Sequence, residues 1–323
     1  MYYMVASDTT RDKAKGVIPM ITIQNQNFGV EIELTGITRE RAAGIIASYF
    51  GTGYTFSLSD GYQTKAAKDQ KDRTWKCMRD SSIRPETRAN GYTSQDLRCE
   101  VVTPILQYED IEDLQEIIRK LRAAGAMAND SCGIHVHVDG ANHDANSLTR
   151  LINLTVGRQD LIYEALQIGD RANRWCKKIN RDLLTAMKHD SVRTKESAER
   201  IWYSRANDDY RGGINHAHYN ETRYHSVNLH AYFTKGTVEF RLFNGTTHAG
   251  KIKAYIQFCL AMSAWAINAK DSYCFRKVTE NKGKAFEDLL TRRLKLTGKE
   301  YATCRQHLLA VFLSTEPDCR EAV

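Results

Sequence analysis

Three short segments carry ionisable residues two positions apart inside otherwise apolar runs. Glu31 and Glu33 lie within residues 27–35, His135 and His137 within 132–139, and Glu239 and Arg241 within 237–243. In an extended chain successive side chains point to opposite faces. Each pair therefore projects from one face, while Val30, Ile32 and Leu34, then Ile134, Val136 and Val138, then Val238, Phe240 and Leu242 project from the other. If the three strands share a sheet, their apolar sides can cover helices and leave a second face of carboxylates, imidazoles and a guanidinium. Two carboxylates ~4 Å apart repel by about 4 kcal/mol at an effective dielectric near ~20. Such a face persists only with cations in it or with some acids protonated. Oxygen-rich groups with an imidazole suit Mg²⁺ or Mn²⁺ better than a thiolate-loving metal. The planar fork of an arginine beside them adds a phosphate-binding group. Each pattern alone has a plainer reading: a solvent-facing alternation, a pair of satisfied histidines or a zinc-hydrolase strand, and a cross-strand ion pair. Their joint occurrence is what points to chemistry.

The elements that must position these groups read as mixed α and β structure. The 27–35 strand precedes a helix over residues 38–50, with Thr38 as its N-cap. Strands at 54–58 and 74–78 flank a polar loop, and a further strand covers 97–106, closed by Thr103-Pro104. Residues 109–124 form an amphipathic helix with Leu114, Ile117, Ile118 and Leu121 on one face, ended by Gly125. After the strand at 132–139 the pattern is helical from 145 to about 205, then polar over 208–220. Strands at 225–233 and 237–243 are expected to form a hairpin turning at Lys235-Gly236. A long helix over 249–269 carries Met262 and Trp265 as core residues, and two more helices fall within 284–313.

A chain of 323 residues, 42% hydrophobic with four prolines, can fill one large core. No apolar run approaches the ~20 residues that span a bilayer, and the first residues lack the pattern of a signal peptide. The cytoplasm is the expected location. Eight cysteines, none in a Cys-x-x-Cys pair, are read as small core residues in a reducing compartment. The net charge of +7 fits an anionic ligand, an acidic substrate or nucleic acid. It is not gathered into an arm, and the densest stretch, residues 65–76, mixes in acids. His216, His218, His225 and His230 read as a surface loop with one strand-facing histidine. Asp208-Asp209 and Gly212-Gly213 read as flexible loop.

The motifs in order resemble one known family. Phe28-Gly29-Val30-Glu31-Ile32-Glu33 is similar to the opening strand of the amidoligases, relatives of glutamine synthetase and glutamate–cysteine ligase. Gly133-Ile134-His135-Val136-His137 resembles the Gly-x-His-x-His strand of glutamine synthetases. Trp75 with Asp80 and Ser82, the Glu100–Leu106 stretch, Arg223-Tyr224 with Asn228, and Gly236-Thr237-Val238-Glu239-Phe240-Arg241 resemble the remaining family segments. The matches cover about residues 28–265. Ser81 stands where a glycine is common, which weakens the placing of Asp80, and the helices after Lys277 match no family segment.

The resemblance implies an α+β fold, with a curved, mainly antiparallel sheet backed by helices. It places an amidoligase catalytic domain at residues 21–275, between an N-terminal extension at 1–20 and a helical C-terminal extension at 276–323. It implies Glu31, Glu33, Glu100, His135 and Glu239 as ligands for Mg²⁺, with Mn²⁺ an alternative. Arg241, helped by Arg223, holds the γ-phosphoryl group of ATP, and His137 lies beside the nucleotide phosphates. Asp80 orients or deprotonates the incoming amine, and Asn228 touches substrate or a ligand. The implied activity joins a carboxylate to an amine through an acyl phosphate, the substrates being an amino acid, a peptide or a protein. Relatives of the fold often assemble, which leaves a homo-oligomer open. Three rivals stand beside this: a zinc-dependent hydrolase built on His135 and His137, a binding protein with a decayed site, and a nucleic-acid-binding protein. The surplus of acids favours hard divalent ions over zinc. The ionisable residues are all present, which argues against decay. The tyrosines that would suit nucleic acid serve equally as wall residues.

Overall fold

Alternation of buried and polar side chains sets the architecture. A computed structural model describes residues 20–88, 93–189, 192–206, 213–270, 278 and 280–314. The readings made for residues 1–19, Asp208, Asp209, Gly212, Cys274 and Cys319 lie outside the described residues. The chain runs β1 (Phe28–Leu34), α1 (Arg39–Phe50), β2 (Thr55–Ser57), β3 (Lys65–Lys68), β4 (Thr74–Met78), β5 (Cys99–Val102), α2 (Ile111–Ala123) and β6 (Gly133–Asp139). Then come α3 (Ala145–Ala165), α4 (Arg181–His189), α5 (Lys195–Arg205), β7 (Val227–Asn228), α6 (His230–Lys235), β8 (Thr237–Asn244), α7 (Ala249–Asn268), α8 (Lys282–Asp288) and α9 (Ala302–Leu313). The eight strands form one open antiparallel sheet in the order β2-β3-β4-β5-β1-β6-β8-β7.

The apolar face of the central strands is sealed. Val30, Ile32, Leu34, Val101, Ile134, Val136, Val138, Val238 and Phe240 are at most 1% exposed and belong to one core. Helix α1 packs over β3 and β4, and α7 packs on β6. Helix α7 is itself enclosed by α2, α3 and α9, which explains why it is apolar on most of its circumference. Met262 is fully buried and Trp265 packs at the core edge. The expected Thr38 cap is present, its hydroxyl accepting from the Arg41 N–H. The six described cysteines are free and buried. No described helix is long and apolar enough to cross a membrane.

Two expectations are corrected. The charged stretch between β2 and β4 is not only loop but contains β3, whose Ala66 and Ala67 are both buried. Flanking Lys65 and Lys68 masked it, since their ammonium groups are drawn off to Glu40 and Asp72. The expected strand over 225–233 is only two residues long and gives way to α6. Asn228 accepts from the Ala231 N–H through its side chain, starting a helical turn, and Gly236 ends it at a φ of 78°. Lys235-Gly236 is thus the exit from a helix.

Asp110 ties the β3–β4 turn to the start of α2. It accepts from Arg73 and Lys71 and from the Gln107 N–H. Burial works against its charge, but these partners together hold the carboxyl down at about 2. Its stabilising contribution is therefore full above the ordinary carboxyl range, near ~4, and is lost as pH falls through about 2. Asp110→Asn is expected to cost about 2 kcal/mol at neutral pH in urea denaturation, with the gap to wild type closing in acid.

Candidate functional site

The second face of the sheet is where the polar partners of the alternation meet. Cross-strand register sets Glu33 opposite Glu100, Glu31 opposite His135, and His137 opposite Glu239, with Asn228 beyond Glu239. The row runs across five adjacent strands, so residues separated by two hundred positions become neighbours. A β-bulge lies within it. Ile134 pairs with Phe243 and Val136 with Phe240, so Arg241 and Leu242 together face His135. The extra residue lets Glu239 and Arg241 share the polar face while Phe240 and Phe243 both stay in the core.

Most of these groups are removed from water: Glu33, Glu100, His135, Glu239 and Arg241 are all under 9% exposed. Nδ1 of His135 is 3.1 Å from Glu31 Oε2 and 3.9 Å from Glu239 Oε1, while its Nε2 is 3.9 Å from Glu33 Oε1. Nε2 of His137 lies 3.2 Å from Glu31 Oε1. Arg241 donates to Glu239 Oε1 and, through Nε, to the Trp175 carbonyl. Asn228 donates to the other Glu239 oxygen at 2.6 Å. Glu33 accepts from the Gly133 N–H at 2.5 Å, and the His137 Nδ1 meets the Thr237 hydroxyl at 3.0 Å.

The electrostatics divide the acids into two kinds. Burial, then Asp80, push the Glu33 carboxyl up to about 7. Burial, then Glu31 and Glu33, push Glu100 well above the carboxylate range. Burial opposes charge on Glu239 too, but Arg241 and then His137 outweigh it and hold that carboxyl near about 2. Burial likewise opposes Glu31, which His137 and His135 hold well below the usual range. Burial, with Arg241 next, keeps His135 neutral down to about 4.

This donor set fits divalent ions. Ligand atoms of Glu31, His135 and Glu239 lie within 4.8 Å of one another, and so do those of Glu33, Glu100 and His135. The Nε2 atom of His135 is buried without a hydrogen-bond partner, a costly state unless something else takes the lone pair. The ligand atoms are carboxylate oxygens and imidazole nitrogens, with no thiolate among the described groups. His135 faces one group with each nitrogen. A neutral imidazole has one lone pair, so it can ligate at one position while donating its N–H to a carboxylate at the other.

Three clefts open onto the row. One, at Glu31 and His137, is walled by Phe28, Gly29, Pro104 and Ile105 with Lys235 and Thr237. A second joins Glu33, His135 and Arg241 to Asp80, Trp175 and Tyr224. A third, beyond Glu239 and Asn228, is lined by His216, His218, His230 and Lys235.

The expected site residues are not all equally central. Glu31, Glu33, Glu100, His135, His137, Glu239 and Arg241 form the cluster, and Asn228 touches it through Glu239. Asp80 lines the second cleft and accepts from the Ser82 N–H at 2.6 Å. Arg223 stands at the rim between the second and third clefts, its guanidinium over the rings of Tyr219 and Tyr224 and donating to the His218 carbonyl. Sequence reasoning missed Thr237, Gly133, Trp175 and Arg171. Thr237 continues the period-two alternation of Glu239 and Arg241 and was there to be found. Gly133 and Trp175 bond through backbone groups, which leave no mark in a side-chain pattern.

Residues 24–263, which hold every strand of the sheet, match the model of a family described as "putative amidoligase enzyme". No curated protein matches the chain. The family match and the order of motifs along the sheet agree, and the chain belongs to the amidoligase family.

Proposed function

We propose that this chain is an ATP- and Mg²⁺-dependent ligase that joins a carboxylate to an amine, working on a glutamine-synthetase-like sheet in the cytoplasm. Membership of an amidoligase family supports a ligase-type enzyme. The observation that carries the finer reading is the pair of three-residue ligand groups sharing His135. When bound, ATP supplies the phosphoryl group that turns the acid into an acyl phosphate, and divalent ions neutralise the phosphate charge. Glu33, Glu100 and His135, through its unpartnered Nε2, would hold one ion, and Glu31 with Glu239 would hold a second. Asn228 and Arg241 fix the Glu239 carboxylate by its two oxygens, so its direction is set before any ligand arrives. The cleft at His137 takes the nucleotide, its apolar wall facing the base and Lys235 with His137 facing phosphate. Arg241 lies where the phosphoryl group is transferred, and Arg223 closes on it from the rim. Asp80 sits in the cleft that receives the amine and accepts its proton. The chain's contribution is positioning and charge.

Calorimetry with a non-hydrolysable ATP analogue tests this. Wild-type protein is expected to bind the analogue more tightly with Mg²⁺ than without it. Glu31→Gln removes one charge at constant shape and should abolish that difference, with the circular dichroism spectrum unchanged. Equal affinity with and without Mg²⁺ in the wild type would sink the proposal. One tightly held zinc per purified chain, without nucleotide affinity, would favour the hydrolase instead.

A further inference from the structure

Arg171 has no part in the reading so far. It lies in a short 3-10 turn, Gly169–Asn173, following α3, and lines the cleft that holds Glu33, Asp80, Trp175, Tyr224 and Arg241. It is 8% exposed. Its Nη1 donates to the Cys132 carbonyl at 3.2 Å, while Nε and Nη2 are buried without a hydrogen-bond partner. Among the described residues no salt bridge includes it. The Cys176 thiol beside it is at best a weak acceptor.

Unsatisfied donors on a buried guanidinium are costly, so a partner is expected to come from outside the chain. The unpartnered imidazole nitrogen of His135 nearby calls for a cation. A guanidinium cannot be answered that way, because like charges repel; it calls for an anion. The geometry narrows the anion further. Nε and Nη2 form the side edge of the guanidinium fork, whose two parallel N–H bonds match the two oxygens of a carboxylate. The position is also built. A Cβ at residue 133 would fall 2.2 Å from Nη2, so glycine there is what allows the guanidinium to lie against the start of β6. The other two arginines of the cleft are engaged, Arg241 with Glu239 and Arg223 with the Tyr219 and Tyr224 rings.

We infer that Arg171 binds a carboxylate of the amine substrate, and that this cleft takes an amino-acid-like molecule whose own carboxylate pairs with Arg171 while its amine meets Asp80. This rests on the ligase reading for the fate of the amine, but the carboxylate site itself can be probed without metal or nucleotide. Arg171 is thereby a specificity residue: it selects which amine is presented, and the fork sets the distance from carboxylate to nitrogen.

The test titrates metal-free full-length protein with glutarate and with its uncharged diamide, glutaramide. Wild type is expected to bind glutarate at least tenfold more tightly than the diamide. Arg171→Gln should erase that preference, and Arg171→Lys, which keeps the charge but not the fork, should lose most of it. Gly133→Ala, which displaces the guanidinium without altering it, should act like Arg171→Gln and serves as the second route if that variant does not fold. Wild type binding the diamide as tightly as the diacid overturns the inference. So does Arg171→Gln binding glutarate within twofold of wild type, since the anion would then belong to Arg223 or Arg241. Parallel Mn²⁺ titrations separate the two readings. Glutarate affinity lost with Mn²⁺ affinity retained supports a substrate site, whereas loss of both makes Arg171 a prop for the acidic cluster and overturns it. Wild type that binds glutarate but no Mn²⁺ supports the carboxylate site while ending the ligase reading.

Discussion

Replacing His135 by glutamine is expected to empty the metal position at Glu33 and Glu100, loosen the Glu31 carboxylate at the other, and reduce turnover to background. This imidazole belongs to both ligand groups, with Nδ1 toward Glu31 and Glu239 and Nε2 toward Glu33. Removing partners one shell further out in metal sites typically weakens binding by about 10–100-fold, so loss of a direct ligand should exceed about a hundredfold at its own position. The fold should survive, because glutamine can still place a polar group beside Glu31 and the residue's neighbours Ile134 and Val136 are untouched core. His137→Gln is the comparison. His137 belongs to neither three-residue group and is steered by the Thr237 hydroxyl. It should leave Mn²⁺ stoichiometry intact and weaken nucleotide binding. Calorimetric Mn²⁺ titration decides, and a His135→Gln protein with wild-type stoichiometry would show that the cluster does not hold metal through this ring.

Glu100→Gln should act in opposite directions on two readouts. Glu100 is buried directly across from Glu33, and of its neighbours Glu31, Glu33 and Asp80 repel its charge while Arg241 offsets it. In metal-free protein burial and the three acids outweigh Arg241, and amide substitution should raise stability by about 1–3 kcal/mol. With Mn²⁺ the order should reverse, because wild type gains the binding energy and the variant does not. Thermal melts with and without Mn²⁺ give both signs in one experiment. A variant less stable than wild type without metal, or one that keeps the full Mn²⁺-induced rise, would contradict the assignment. The trade is the usual one for sites kept for function at the expense of stability.

Much of this architecture was legible in the sequence because period-two alternation is a local signal. Val30, Glu31, Ile32 and Glu33 declare both faces of β1 within four residues, and β6 and β8 do the same. Strand order was not readable, since the register that sets Glu33 against Glu100 comes from pairing across 67 positions. Nor was α6, where aromatic and β-branched residues mimic a strand and a single Asn228 side chain decides for a helical turn. The cluster was legible as a set of residue types, while its division into two groups around one ring needed coordinates. Arg171 gave no warning at all. It lies in a polar turn with no periodicity, and only burial distinguishes it from the surface arginines around it.

The doubled residue in β8 has a further consequence. Upstream of it Thr237 and Glu239 address the cleft, and downstream Phe243 stacks on Tyr255 of α7 at 4.1 Å between ring centres. The strand therefore works as two rulers joined by a fixed offset. Changing a side chain on either ruler is a local event, and deleting Leu242 would make the pairing regular, with Arg241 alone opposite His135 and Phe243 still opposite Ile134, at the loss of a core side chain that is 1% exposed. The extra residue thus adds one apolar side chain to the core without turning Phe243 toward the acids, and a one-residue insertion elsewhere in β8, which flips every side chain beyond it, should be far less tolerated than a deletion at the join.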